Sequence, residues 1–208
     1  MAGRFITLEG GEGGGKSTQA RRLGAALEAK GLSVLLTREP GGSPGAEDIR
    51  GLLVNGAPGR WDALTETLLV YAARADHVGR AIGPALVADK WVICDRFTDS
   101  TYAYQGAGRG LARETIRRID AIVLDDFKPN LTLVLDLDVE TGLKRAISRG
   151  GAESRFENFD RDFHERLRQA FLDIAKRNPD RCVVIDAAQD EEAVAVAIWA
   201  AVARRFGL

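Results

Sequence analysis

The chain has 208 residues, 45% of them hydrophobic, enough for one substantial core, so a single domain spanning 1–208 is expected. Its 29 basic and 30 acidic residues leave a formal charge of −1, which argues against a general nucleic-acid or membrane-surface protein. Too little chain precedes the first glycine-rich stretch for a signal peptide, and no apolar run approaches the roughly 20 residues of a membrane helix, so the chain reads as cytoplasmic with no membrane partner.

Arg4 to Glu9 is a short apolar run that predicts a buried strand. Gly10-Gly11-Glu12-Gly13-Gly14-Gly15-Lys16-Ser17 follows, a full match to G-x-x-x-x-G-K-[ST]. Glycines let backbone N–H groups turn inward around an anion. The lysine reaches the β- and γ-phosphates of a nucleotide, and the serine hydroxyl can ligate Mg²⁺. Lys16 to Lys30 predicts a helix, with Leu23 and Leu27 one turn apart, whose N-terminal dipole adds to the anion site. A flexible glycine turn would also join strand to helix, but it has no use for Lys-Ser at this register. Residues Gly10 to Thr18 are therefore expected to hold nucleotide phosphates.

Ser33 to Thr37 predicts a second strand, followed by Arg38-Glu39-Pro40-Gly41-Gly42. Arg38 stands where a second phosphate could lie, Pro40 stiffens the loop, and the glycines permit close backbone approach. An ordinary turn would account for the same letters. Helical patterns cover about 43–55 and 62–88. A third strand, Trp91 to Asp95, closes on Asp95-Arg96-Phe97. A carboxylate there can hold Mg²⁺ through water or accept from Ser17, and an arginine beside it can grip a phosphate with two parallel bonds. The alternative is an Asp-Arg pair that only caps the strand.

Further helical patterns at 112–126, 139–150, 158–177 and 190–206 alternate with strands at Leu131 to Leu137 and Cys182 to Asp186. Lys144, Arg145, Arg149 and Arg155 form a basic cluster interrupted by Gly150-Gly151, and Arg145 and Arg149 share a helix face. A segment with arginines and a glycine hinge, about 144–157, suits a lid that covers a triphosphate and stabilises transferring charge. Solvated basic residues near a helix C-terminus would look the same. Continuous apolar strands alternating with amphipathic helices predict an α/β fold: a five-stranded parallel sheet flanked by helices on both faces. Ligands of such folds gather at the carboxyl ends of the strands, where Glu9, Arg38, Asp95, Asp136 and Asp138 fall. Gly41 to Gly45 and Gly106 to Gly110 read as loops within the domain. Cys94 and Cys182 read as core residues, and His77 and His164 as surface or packing residues.

The phosphate loop, the Arg38-Glu39-Pro40-Gly41-Gly42 loop, Asp95-Arg96-Phe97 and Ser100-Thr101-Tyr102-Ala103-Tyr104-Gln105-Gly106 together resemble the bacterial thymidylate kinases. Order and spacing agree over nearly the whole chain, and the Glu-Pro-Gly-Gly and Tyr-Gln-Gly segments are far more specific than the phosphate loop alone. The resemblance implies a P-loop nucleoside monophosphate kinase fold, phosphoryl transfer from ATP to dTMP with Mg²⁺, dTDP and ADP as products, and a homodimer. It places Lys16 and the backbone of Gly13 to Ser17 on the ATP phosphates, Ser17 and Asp95 at the metal, and Glu12 near the sugar hydroxyl and reacting phosphates. Arg38 and Arg96 would clamp the dTMP phosphate, and Arg74 would contact the thymine edge. Ser100, Thr101, Tyr104 and Gln105 would line the nucleoside pocket. Arg149 and Arg155 match the lid arginines of the type whose phosphate loop lacks one, and this loop has none. One position departs: Val70 stands where the family often places a phenylalanine that stacks on thymine. Valine offers dispersion contact but no π-face, which implies a pocket of the same class with a changed floor.

Three rival readings carry their own discriminators. A kinase for another nucleoside monophosphate or a deoxynucleoside would share the fold, and a substrate panel separates it. A GTP-binding switch needs a guanine-reading Asn-Lys-x-Asp stretch, and none occurs. A nucleic-acid-dependent ATPase is disfavoured by the near-neutral charge, and stimulation of hydrolysis by DNA tests it.

Overall fold

A computed structural model describes residues 3–57, 59–149, 155–156 and 159–208, with the side chain at 149 outside the described set. Strands β1 (Phe5–Glu9), β2 (Val34–Arg38), β3 (Trp91–Asp95), β4 (Leu131–Asp136) and β5 (Cys182–Asp186) form one sheet in the order β2-β3-β1-β4-β5. Every pairing is parallel, as the unbroken apolar runs predict. β1 is central, between β3 and β4. The loop that leaves it therefore opens between the two halves of the sheet, at the carboxyl edge.

Alternation along β1 divides the core. Ile6 and Leu8 face Leu23 and Leu27 of α1 (Lys16–Ala29) and Ile198 and Val202 of α9 (Glu191–Phe206). Phe5 faces the opposite layer, packing against Phe97 and Phe127. On that side Thr7 would be a buried hydroxyl without a partner, but it meets Thr132 of β4 at 2.8 Å. A third cluster joins Val134 and Cys182 to Phe163, Leu167 and Phe171 of α8 (Arg161–Arg177). Both cysteines are free and buried.

Helix starts follow the local chemistry. Pro44 opens α2 (Pro44–Val54), where its missing N–H costs nothing. Asp62, Asp160 and Asp190 cap α3 (Ala63–His77), α8 and α9 by accepting from backbone N–H groups of the first turn.

Two expectations are corrected. The long pattern 62–88 is not one helix: α3 passes into a π-helical stretch at Val78–Ile82 and then the short α4 (Gly83–Val87). Gly79 and Gly83 weaken the regular ladder there, and Pro84 opens the last piece. Residues before Gly110 are not a plain loop either. α5 (Thr98–Thr101) runs into a π-helical stretch at Tyr102–Gly108, which packs on α8. A wider turn brings Tyr104 into the third cluster, and tertiary packing overrides the weak helix propensity of the glycines. The remaining helices are α6 (Arg113–Leu124) and α7 (Val139–Arg149). Among the described residues no helix is long and apolar enough to cross a membrane.

Candidate active site

A cleft of about 610 Å³ opens along the carboxyl edge, lined from the phosphate loop at one end to α2, α3 and Phe156 at the other. That size suits a small-molecule ligand.

The loop after β1 is shaped by contacts that only glycine allows. Gly10 and Gly13 have φ of +133° and +69°, and a Cβ on Gly13 would lie 2.0 Å from the carbonyl oxygen of Gly142 in α7. Gly15, with φ +80°, turns the chain into α1. Lys16 is buried and donates from Nζ to the Gly11 carbonyl at 2.6 Å. Burial, with Arg96 nearby, lowers its pKa to about 8, against the pull of Glu12 and Asp95. Ser17 Oγ donates to Asp95 Oδ2 at 2.5 Å, so the two oxygens expected at the metal are held together by β1 and β3 being neighbours. Thr18 also lines the cleft.

Arg96 follows β3 with a positive φ of +72°. That turn brings its guanidinium across the loop: Nη1 donates to the Gly10 carbonyl at 2.9 Å and Nη2 to Glu12 Oε1 at 3.0 Å. Its plane lies 5.0 Å from the centre of the Tyr104 ring, whose hydroxyl donates to the same Glu12 oxygen at 2.6 Å. Burial works to raise the Glu12 pKa. Arg96, Lys16 and the Tyr104 bond outweigh it and hold the carboxyl down at about 2.

Arg74 is fully buried at the far end. Nε donates to Glu39 Oε2 at 2.7 Å and Nη1 to Thr101 Oγ1 at 3.1 Å. Glu39 also meets His77 Nδ1 at 3.0 Å, and His77 Nε2 meets Thr37 Oγ1 at 2.7 Å. His77 is thus a buried relay beneath the site. Ser100 Oγ donates to Glu9 Oε2 at 2.6 Å, and Gln105 Nε2 to Glu66 Oε1 at 2.8 Å. Val70 lines the cleft with Arg74.

Of the expected site residues, Glu12, the loop Gly13 to Thr18, Arg38, Val70, Arg74, Asp95, Arg96, Ser100, Thr101, Tyr104 and Gln105 all border this one cleft. Arg38 is half exposed and donates from Nη2 to both oxygens of Glu47 at 3.2 and 3.1 Å. Any anion arriving there would have to compete with Glu47. Arg155 stands apart from the phosphate loop: it is buried, ion-paired with Glu66 at 2.5 Å, and donates to the Leu53 and Ala57 carbonyls at 3.0 and 3.1 Å. The Gly150-Gly151 hinge and the Arg149 side chain lie outside the described residues.

Sequence reasoning placed Glu9 at the rim and Glu39 in its loop but missed the supporting roles of four acids and bases. Glu9 closes β1, Glu39 and Glu66 hold groups that line the cleft, and His77 holds Glu39. The available signal was spacing: Glu66, Val70 and Arg74 recur every fourth residue on one face of α3.

A family model described as Thymidylate kinase matches residues 8–198. The chain is 57% identical over 206 residues to the thymidylate kinase of Caulobacter vibrioides, covering 99% of each. It is 50% identical over 206 residues to that of Magnetococcus marinus, covering 99% of this chain and 98% of the relative. The crystal structure of thymidylate kinase from Ehrlichia chaffeensis superposes with a TM-score of 0.78 at 36% identity, covering 97% of this chain and 99% of that one.

Proposed function

We propose a function from one premise: the chain belongs to the thymidylate kinase family. It is an ATP-dependent dTMP kinase that transfers the γ-phosphoryl group to dTMP, giving dTDP and ADP, a step of dTTP biosynthesis. Residues 1–208 act as one kinase domain, with about 144–157 as its lid. The observation that carries the reading is the shared cleft: a phosphate loop and a buried arginine pocket for a base open into the same space, bridged by Arg96.

Both nucleotides are polyanions, so catalysis is chiefly alignment and charge. Lys16 and the loop N–H groups take the ATP phosphates. Lys16 must leave the Gly11 carbonyl to do so, and a phosphate beside it favours its charged form. Arg96 and Arg38 take the acceptor phosphate. Glu12, held ionised, keeps Arg96 and the Tyr104 hydroxyl in place. The attacking phosphate oxygen is already anionic, so no general-base histidine is needed, and neither histidine lines the cleft. Arg74, steadied by Glu39, donates toward the thymine edge, with Ser100, Thr101, Tyr104 and Gln105 around the nucleoside. Ser17 and Asp95 are the hard oxygen donors that suit Mg²⁺. Bound there, Mg²⁺ would neutralise charge on the transferring phosphates. Arg149 is the proposed lid arginine.

The proposed partners are ATP, dTMP and a second copy of the chain, with no nucleic acid and no membrane, in the cytoplasm. Leu64 and Leu68 of α3 and Ile122 of α6 are exposed apolar side chains on two helices that pack together, which supports a homodimer through that face.

The test is ADP formation from ATP and Mg²⁺ across a panel of nucleoside monophosphates. Turnover strong with dTMP, weaker with dUMP and slight with AMP, GMP or CMP is expected. Preference for another monophosphate would overturn the base assignment. Turnover independent of any acceptor would overturn the reaction.

A further inference from the structure

Glu66 is fully buried near the start of α3 and does not itself line the cleft. Its carboxylate is nonetheless crowded. Oε1 accepts from Gln105 at 2.8 Å, and Oε2 accepts from Arg109 at 2.8 Å and from Arg155 at 2.5 Å. A buried carboxylate is expensive, and well-packed apolar residues would stabilise such a position at least as well. Stability alone therefore does not account for it.

What the carboxylate joins does. Arg109 also donates to the Trp61 carbonyl at 2.5 Å, just before the Asp62 cap of α3. Arg155 also donates to the Leu53 and Ala57 carbonyls, at the end of α2 and beyond it. Two stretches of chain thus meet on one anion, the π-helical turn that carries Gln105 and the Arg155-Phe156 pair, and Arg155 ties the end of α2 to them. All three contribute to the wall of the cleft, through Leu53, Gln105 and Phe156. Phe156 stands edge-on to Tyr104 at 5.5 Å between centroids, and its ring lies 5.1 Å from the Arg155 guanidinium. Glu66 shares its helix face with Val70 and Arg74, so this wall adjoins the floor from which a π-face is missing.

We propose that Glu66 is a positioning residue for the acceptor: it orients Gln105 directly and, through Arg155, fixes the Phe156 ring as an aromatic wall of the acceptor pocket. The inference rests on the kinase reading above. Arg155 belongs, in this arrangement, to the acceptor side rather than to the ATP phosphates.

The experiment is steady-state kinetics of wild type, Glu66→Gln, Arg155→Gln and Phe156→Leu, varying dTMP and ATP separately. Wild-type turnover of dTMP upholds the kinase reading, and its absence overturns that reading and this inference with it. Given turnover, Glu66→Gln and Arg155→Gln are expected to raise KM for dTMP about tenfold and leave KM for ATP nearly unchanged. Phe156→Leu is expected to raise KM for dTMP in the same selective way. The Glu66→Gln/Arg155→Gln pair is expected to cost little more than the larger single change, because both remove one link. If Glu66→Gln does not fold, Arg155→Gln and Phe156→Leu decide alone. Unchanged KM for dTMP in those two variants, or an equal rise in both KM values, would overturn the proposal. A fall in kcat with KM for dTMP unchanged would return Arg155 to the ATP side and overturn it as well.

Discussion

Glu9 shows how far a single residue departs from its letter. It ends β1 fully buried, accepting from Phe97 N at 2.7 Å and from the Ser100 hydroxyl. Burial, then the nearby Asp99 carboxylate, raises its pKa from 4.5 to about 8. The folded state thus holds a proton that the unfolded chain releases above pH 4.5. Its stabilisation is full below 4.5 and is lost as pH rises toward 8. Glu9→Gln, a neutral mimic, should flatten the decline of Tm across that window, and a decline as steep as wild type would refute the assignment. Val70 carries a second prediction. Val70→Phe should lower KM for dTMP by a few-fold up to about tenfold, the worth of an aromatic contact. An unaltered KM would mean the floor needs no ring. Glu12 and Lys16 were legible because their motif fixes their surroundings. Glu9, Glu39, Glu66 and His77 were not, since what defines them is burial and partners far away in sequence: Glu66 lies 39 residues from Gln105.

At the scale of elements, β1, the glycine loop and α1 act as one device. Its tight fit against α7 predicts that Gly13→Ala destabilises the fold by at least the roughly 1–3 kcal/mol of a strained backbone position, with ATP binding lost alongside. Thermal melts with and without ATP would check this, and a variant that melts and binds like wild type would contradict the packing described. α7 ends at Arg149, the proposed lid arginine. Arg149→Ala should lower kcat by on the order of 10³, as for arginine fingers, with little change in KM for dTMP. Near-normal turnover would end that assignment. The five strands were readable as apolar runs to within a residue or so at their ends. The π-helical stretches were not, because a helical period of about four residues does not reveal a widened turn until packing demands it. Tyr104 reaches both Glu12 and Phe163 only by that turn.

The whole molecule brings the phosphate loop and Arg96 into one cleft because β1 and β3 are neighbours with parallel register. Leu8 pairs with Asp95, so the carboxyl ends of the two strands, and the loops that follow, lie side by side. The order β2-β3-β1-β4-β5 was not in the sequence pattern, which gives strands but not their neighbours. If the α3 and α6 face joins two copies, Leu68→Glu should shift sedimentation from dimer to monomer, and an unshifted species would exclude that face. The central claim is direct transfer between nucleotides held in this cleft. The most direct measurement follows the label of [γ-³²P]ATP after mixing with Mg²⁺ and dTMP. The account predicts label in dTDP, with little in inorganic phosphate, and loss of labelled dTDP in Arg96→Ala. Label released only as inorganic phosphate, or labelled dTDP undiminished in Arg96→Ala, would contradict it.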